Sequence, residues 1–133
     1  MGKFLKQYEI LYKKARADLK AAKILYEDFE KGDDELDIET IMFHLQQCAE
    51  KLFKSLLSFN NIHITKTHDI ERLLCILAEN GIEVPKETKE LIFLNEFAVE
   101  GRYAIIHDDI DDAKKYMIIL DNLVEYVKKE SLL

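Results

Sequence analysis

The sequence predicts an all-α protein, an up-and-down bundle of four to five helices. Apolar residues recur every three or four positions along most of the chain, the spacing of a helix with one buried face. One proline and four glycines among 133 residues leave few places to break regular structure, which favours long helices over a many-stranded sandwich. Stripes of this kind are buried most simply by antiparallel neighbours joined through short loops. The length suits one domain spanning residues 1–133, with one core.

The first helix is expected from about Lys3 to Glu30, with Phe4, Tyr8, Leu11, Ala15, Leu19, Ala22, Tyr26 and Phe29 on one face. Lys31-Gly32-Asp33-Asp34 ends it, because glycine suits a left-handed cap. Asp37 is a plausible N-cap for the second helix, which runs to about Phe59 and stops at Asn60-Asn61. That helix is apolar around more of its circumference than the first and should lie more centrally. Thr67 is the expected cap of a third helix carrying Ile70, Leu73, Leu74, Leu77 and Ala78, which Asn80-Gly81 ends. Pro85 fits the first turn of a fourth helix through Leu91, Leu94, Phe97 and Ala98 toward Gly101. After a connection from Arg102 to His107, a last helix begins among Asp108 to Asp112. It buries Ile110, Ala113, Met117, Leu120, Val124 and Val127, and Lys128 and Lys129 complement its negative end.

Composition narrows the function. The net charge of -7 repels a polyanion overall, so any contact with RNA has to be local or supplied by a partner. The opening MGKFLKQYEI is charged and turns amphipathic at once, unlike a secretory leader. No apolar run reaches the roughly 18 residues of a spanning helix. A cytoplasmic protein without membrane contact is expected. Cys48 and Cys75 lack the spacing of a zinc knuckle or redox pair and read as two buried thiols. None of the four histidines follows a glutamate by three residues, the pattern of carboxylate-bridged bundle sites, so neither metal nor cofactor is expected.

The stretch FHLQQCAEKLF, Phe43 to Phe53, holds the first candidate site. Gln46 and Glu50 point into the apolar arc between Phe43, Phe53 and Leu57, whereas His44, Gln47 and Lys51 lie on the polar side. A buried carboxylate is costly unless paired, and Arg102, Arg16 and Arg72 are candidate partners. Gln46 and Glu50 therefore serve a polar contact within the bundle or at a dimer seam, or else line a cleft for nucleotide or RNA. His44 and Lys51 read as a solvated face. His68, in the first turn of the third helix beside Asp69, reads as part of the cap or of a cleft. The aromatic stripe Phe4, Tyr8, Tyr12, Tyr26 and Phe29 suits a core or a dimer contact.

The run FHLQQCAEKLFKSLL, then KTHDI with a following helix, then LNEF with GRY, resembles the HEPN domain. The resemblance is weak at ARADLKAAKIL, strongest from Phe43 to Leu74, and returns from Leu94 to Tyr103. It implies a bundle of four or five helices that dimerises. It also implies a partner, a minimal nucleotidyltransferase of the MNT type, in a toxin–antitoxin or nucleotide-handling system, with RNA or nucleotide as ligand. The ribonuclease members carry Arg, four to six residues, then His, and Arg102-Tyr-Ala-Ile-Ile-His107 has that spacing. In such a pair the histidine moves the proton of a ribose 2′-hydroxyl or of the leaving oxygen, and the arginine holds the phosphate, without a metal. Tyr103 stands where active members have a small polar residue, and Asp109 where several toxin members have a tyrosine. Three readings follow: a partnered HEPN module, a metal-independent endoribonuclease using Arg102 and His107, or a helical scaffold with no ligand.

Overall fold

The computed structural model describes residues 5–64, 66–98 and 110–133, with backbone alone at 110–112. They form α1 (Gln7–Glu30), α2 (Ile38–Phe59), α3 (Ile70–Glu79), a 3₁₀ helix (Lys86–Phe97) and α4 (Ile110–Glu130). No strand occurs among the described residues. The all-helical bundle expected from periodicity is the fold observed.

Helix α2 is the centre, and every other element packs on it. Its buried residues include Ile41, Leu45, Cys48, Ala49, Leu52, Phe53 and Leu57, all without exposed surface, so they surround the helix rather than forming one stripe. Helix α1 runs antiparallel along it. Ser55 donates from its hydroxyl to the Tyr8 carbonyl at 2.8 Å, and the Tyr8 ring meets Phe59 edge-on at 5.1 Å. Further along, Asp18 meets His44. Ala15 and Ala22, both fully buried, keep the α1 backbone close to its neighbours.

The helix ends follow from local chemistry. The Asp37 carboxylate accepts from the Thr40 N–H at 2.7 Å and caps α2. Asp37→Ala should cost about 1 kcal/mol, read as a fall in the urea midpoint with an unchanged slope. All four α-helices close in the same way, with a left-handed residue just past the cap at Gly32, Asn61, Gly81 and Leu132. The next N–H then reaches back to a carbonyl five residues earlier: Asp33 to Asp28, Ile62 to Leu57, Ile82 to Leu77 and Leu133 to Lys128.

Three expectations need correction. The cap of α3 is Asp69, not Thr67: the Asp69 carboxylate accepts from the N–H groups of Glu71 and Arg72 at 2.9 and 3.3 Å. Thr67 supports that turn by accepting from the Asp69 N–H at 3.1 Å. Within α3, Ile76 is buried instead of Ala78, and Leu74 is only half-buried. The fourth helix is 3₁₀ rather than α. Its buried residues Thr88, Leu91, Leu94 and Phe97 stand three apart, the repeat of a 3₁₀ helix and not of an α-helix. The Thr88 hydroxyl seals its first turn by donating to the Pro85 carbonyl at 2.6 Å.

The cysteines also separate. Cys48 is fully enclosed in α2, and burial, then the nearby Asp18 charge, pushes its thiol far up. Cys75 lies exposed on α3, contrary to the expectation of two buried thiols. A thiol reagent should therefore label one cysteine in the native protein and a second only in denaturant, with Cys75→Ser removing the native signal.

Candidate functional site

Glu50 reaches its site because α2 is buried on nearly all sides. Gln46 is fully buried and Glu50 is 5 % exposed. The carboxylate is held from three directions. Lys54, one turn along the same helix, donates to Oε2 at 2.9 Å. The His68 Nδ1 lies 2.9 Å from Oε1, and the Gln46 amide lies 3.3 Å from the same oxygen. Gln46 also donates to the His68 carbonyl at 3.0 Å and accepts from Gln47 at 2.7 Å. Both the backbone and the ring of His68 are thus fastened to α2.

The electrostatics follow from these contacts. Burial pushes the Glu50 carboxyl up, but hydrogen bonds from Lys54, then His68, with the Lys54 charge and Gln46, outweigh it. The net result is a carboxyl below its ordinary value, hence an anion at neutral pH. A carboxylate only accepts, so Nδ1 of His68 carries the proton of this contact. The His68 side chain is 67 % exposed, so the ring meets solvent while Nδ1 is tied to Glu50. This is a carboxylate-steadied imidazole placed to meet a polar ligand.

His68 does not stand in the first turn of α3 but immediately before its cap. Asn95 of the 3₁₀ helix closes the same corner. It accepts from the Ile70 N–H at 2.8 Å and donates to the Asp69 carboxylate at 2.8 Å. The start of α3, and His68 with it, is braced from both α2 and the 3₁₀ helix. Asn95→Ala should loosen this corner, costing about 1–2 kcal/mol because the Ile70 N–H loses its acceptor. A proton-exchange measurement should show faster exchange at the Ile70 amide than in the parent.

Among the described residues, the cation that meets Glu50 is none of the arginines named from the sequence. Of the three arginines named for it, Arg72 is exposed on α3 and Arg16 lies 5.9 Å from the centre of the Tyr12 ring. Arg102 lies outside the described residues, as does His107. The partner present is Lys54, four residues along α2, joined by His68. The i, i+4 spacing of Glu50 and Lys54 is a local signal that could have identified it.

His44 and Lys51 are not a solvated face. Both converge on Asp18 of α1, Lys51 in a close ion pair and His44 through Nδ1 at 3.1 Å. The side chains of His44, Lys51 and Asp18 are 28 %, 23 % and 15 % exposed, so this is a half-buried staple between α1 and α2. Gln46, Glu50 and His68 form one group and His44 and Lys51 another, not a single cluster. Asp18 was missed because it sits among the charges of α1, where only the packing of two helices selects it.

No group of three or more metal-binding side chains is assembled among the described residues. No helix there is long and apolar enough to cross a membrane.

An all-helical bundle with a buried polar pair in its central helix and a braced histidine at the next helix start defines a class of small helical modules. The HEPN domain model matches residues 8–130, and the chain belongs to the HEPN domain family. Its fold is similar to that in the crystal structure of an archaeal HEPN homologue, with a TM-score of 0.67 and 23 % identity over 96 % of this chain and 99 % of that one. No protein of curated function matches the sequence.

Proposed function

We propose that the chain is the HEPN member of a toxin–antitoxin or nucleotide-handling pair, a homodimer acting with a minimal nucleotidyltransferase and contacting RNA or nucleotide. Family membership supports the module. The observation that carries the association is exposed apolar surface: Phe93 of the 3₁₀ helix and Ile118 of α4 are 68 % and 58 % exposed. Each stands three residues from a member of the Lys115–Glu90 ion pair, which joins α4 to the 3₁₀ helix at 3.2 Å. Large apolar side chains left bare on a small bundle are best covered by another protein surface. Sedimentation at about 50 µM should give a dimer, and the double variant Phe93→Asp, Ile118→Asp should give a folded monomer. A monomeric parent protein would defeat the homodimer. Co-expression with a minimal nucleotidyltransferase from the same genome should yield a complex through two purification steps; separate elution of the two would defeat the partnership.

The second reading is a metal-independent endoribonuclease, favoured by the Arg102-x4-His107 spacing. It expects RNA cleavage that survives EDTA and leaves a cyclic phosphate. His107→Ala should lower the rate by at least about a hundredfold without changing helical content. Equal cleavage by that variant ends the ribonuclease reading.

A further inference from the structure

Lys13, Arg16, Lys20 and Lys23 follow one another along α1 at steps of three or four, which places them on one face. They form one wall of a groove of about 640 Å³, with Asp121 and Glu125 of α4 on the other wall. Lys23 and Asp121 bridge the groove with a 2.5 Å ion pair. Lys13, Arg16 and Lys20 differ from Lys51, Lys54 and Lys115, each of which holds a carboxylate. Lys13, Arg16 and Lys20 are exposed and have no carboxylate partner among the described residues. Four cations against the two carboxylates of Asp121 and Glu125 leave the groove a local surplus of positive charge on a chain of net charge -7, a place where a polyanion is locally attracted.

We infer that this groove holds single-stranded RNA, with phosphates on Lys13, Arg16 and Lys20. The inference rests on the RNA-handling reading above and adds where the strand is gripped. The α4 wall distinguishes RNA from an acidic peptide. Glu125 and Asp121 carry the same charge as a row of acidic side chains, which bring no hydrogen-bond donor to offset the repulsion on that wall. RNA brings donors to that wall, its 2′-hydroxyls and the exocyclic amines of its bases, while its anionic backbone faces α1.

The test is a fluorescence-anisotropy titration with a labelled mixed-sequence RNA of about 20 nucleotides, in EDTA, on a His107→Ala background that keeps the strand intact. The triple reversal K13E/R16E/K20E should weaken binding at least tenfold. It should also flatten the dependence of log K on log salt by about two, the share of three phosphates on a single strand. The reversal K31E/K86E/K89E makes the same change in net charge on exposed lysines off the groove, and should stay within about threefold of the parent. Circular dichroism confirms that both variants fold. The groove is overturned if the first variant binds like the parent with an unchanged salt slope. Equal weakening by the second variant overturns it too, since net charge alone then accounts for the loss. Displacement of the RNA by polyglutamate as effectively as by unlabelled RNA assigns the groove to an acidic protein instead. Failure of the parent to bind RNA at all removes the RNA-handling reading itself, whereas binding that ignores the groove variant removes only the groove.

Discussion

Phe53→Ala should destabilise the bundle by about 3–5 kcal/mol and lower its melting temperature by roughly 10–20 °C. The ring has no exposed surface and sits in α2, against which all the other elements pack. Truncation removes the transfer free energy of a benzyl group and leaves a void. The walls of that void belong to helices already fixed by one another, so they can collapse only in part. Ile24→Ala is the control. Ile24 is 52 % exposed and lies off the proposed dimer contact, so truncation there should alter stability by less than about 1 kcal/mol. Chemical unfolding of both variants beside the parent decides the matter, and equal losses would contradict the central place of α2.

Glu50→Ala is expected to cost about 2–4 kcal/mol, less than the full penalty of a deep ion pair because Lys54 keeps some access to water. Its side chain is 14 % exposed. The substitution strands that ammonium, frees the His68 ring and leaves the Gln46 amide with the His68 carbonyl as its one acceptor here. Glu50→Gln keeps the shape and removes the charge, which makes it the variant for pH work. The folded-state carboxyl lies below its ordinary value of 4.5, so its stabilising contribution is complete above that value. As the pH falls through the lower folded-state value, the carboxylate protonates and the contribution disappears. The stability difference between the parent and Glu50→Gln should thus be smaller at about pH 3 than at about pH 5. A difference that grows on acidification would mean that burial, not the cations, governs this carboxyl.

Much of the architecture was legible because it is written in local signals. The α2 helix announces its central position by having apolar residues on most of its circumference. Lys31-Gly32, Asn60-Asn61 and Asn80-Gly81 each mark a helix end where the backbone does turn left-handed, apart from the cap residue itself. The inward aim of Gln46 and Glu50 follows from the 100° step of a helix. What escaped needs distance in the chain. His68 comes to Glu50 across 18 residues and Asp18 to Lys51 across 33, and no spacing rule selects either pair. The 3₁₀ helix escaped for another reason. Thr88, Leu91, Leu94 and Phe97 fit both a loose 3.6 period and a strict period of three, and only Asn95 reaching the start of α3 shows which one the tertiary contacts hold.

That choice of winding sets how far the chain advances between Lys86 and Phe97. At about 2.0 Å per residue, twelve residues of 3₁₀ helix advance roughly 24 Å, where an α-helix advances roughly 18 Å. Rewinding the segment would draw its far end back by about 6 Å. It would also turn Asn95 by about 140° relative to Thr88, since each residue rotates by about 20° less in an α-helix. The asparagine that clasps Asp69 and Ile70 therefore acts as a gauge, fixing at once the pitch of this segment and the position of its far end.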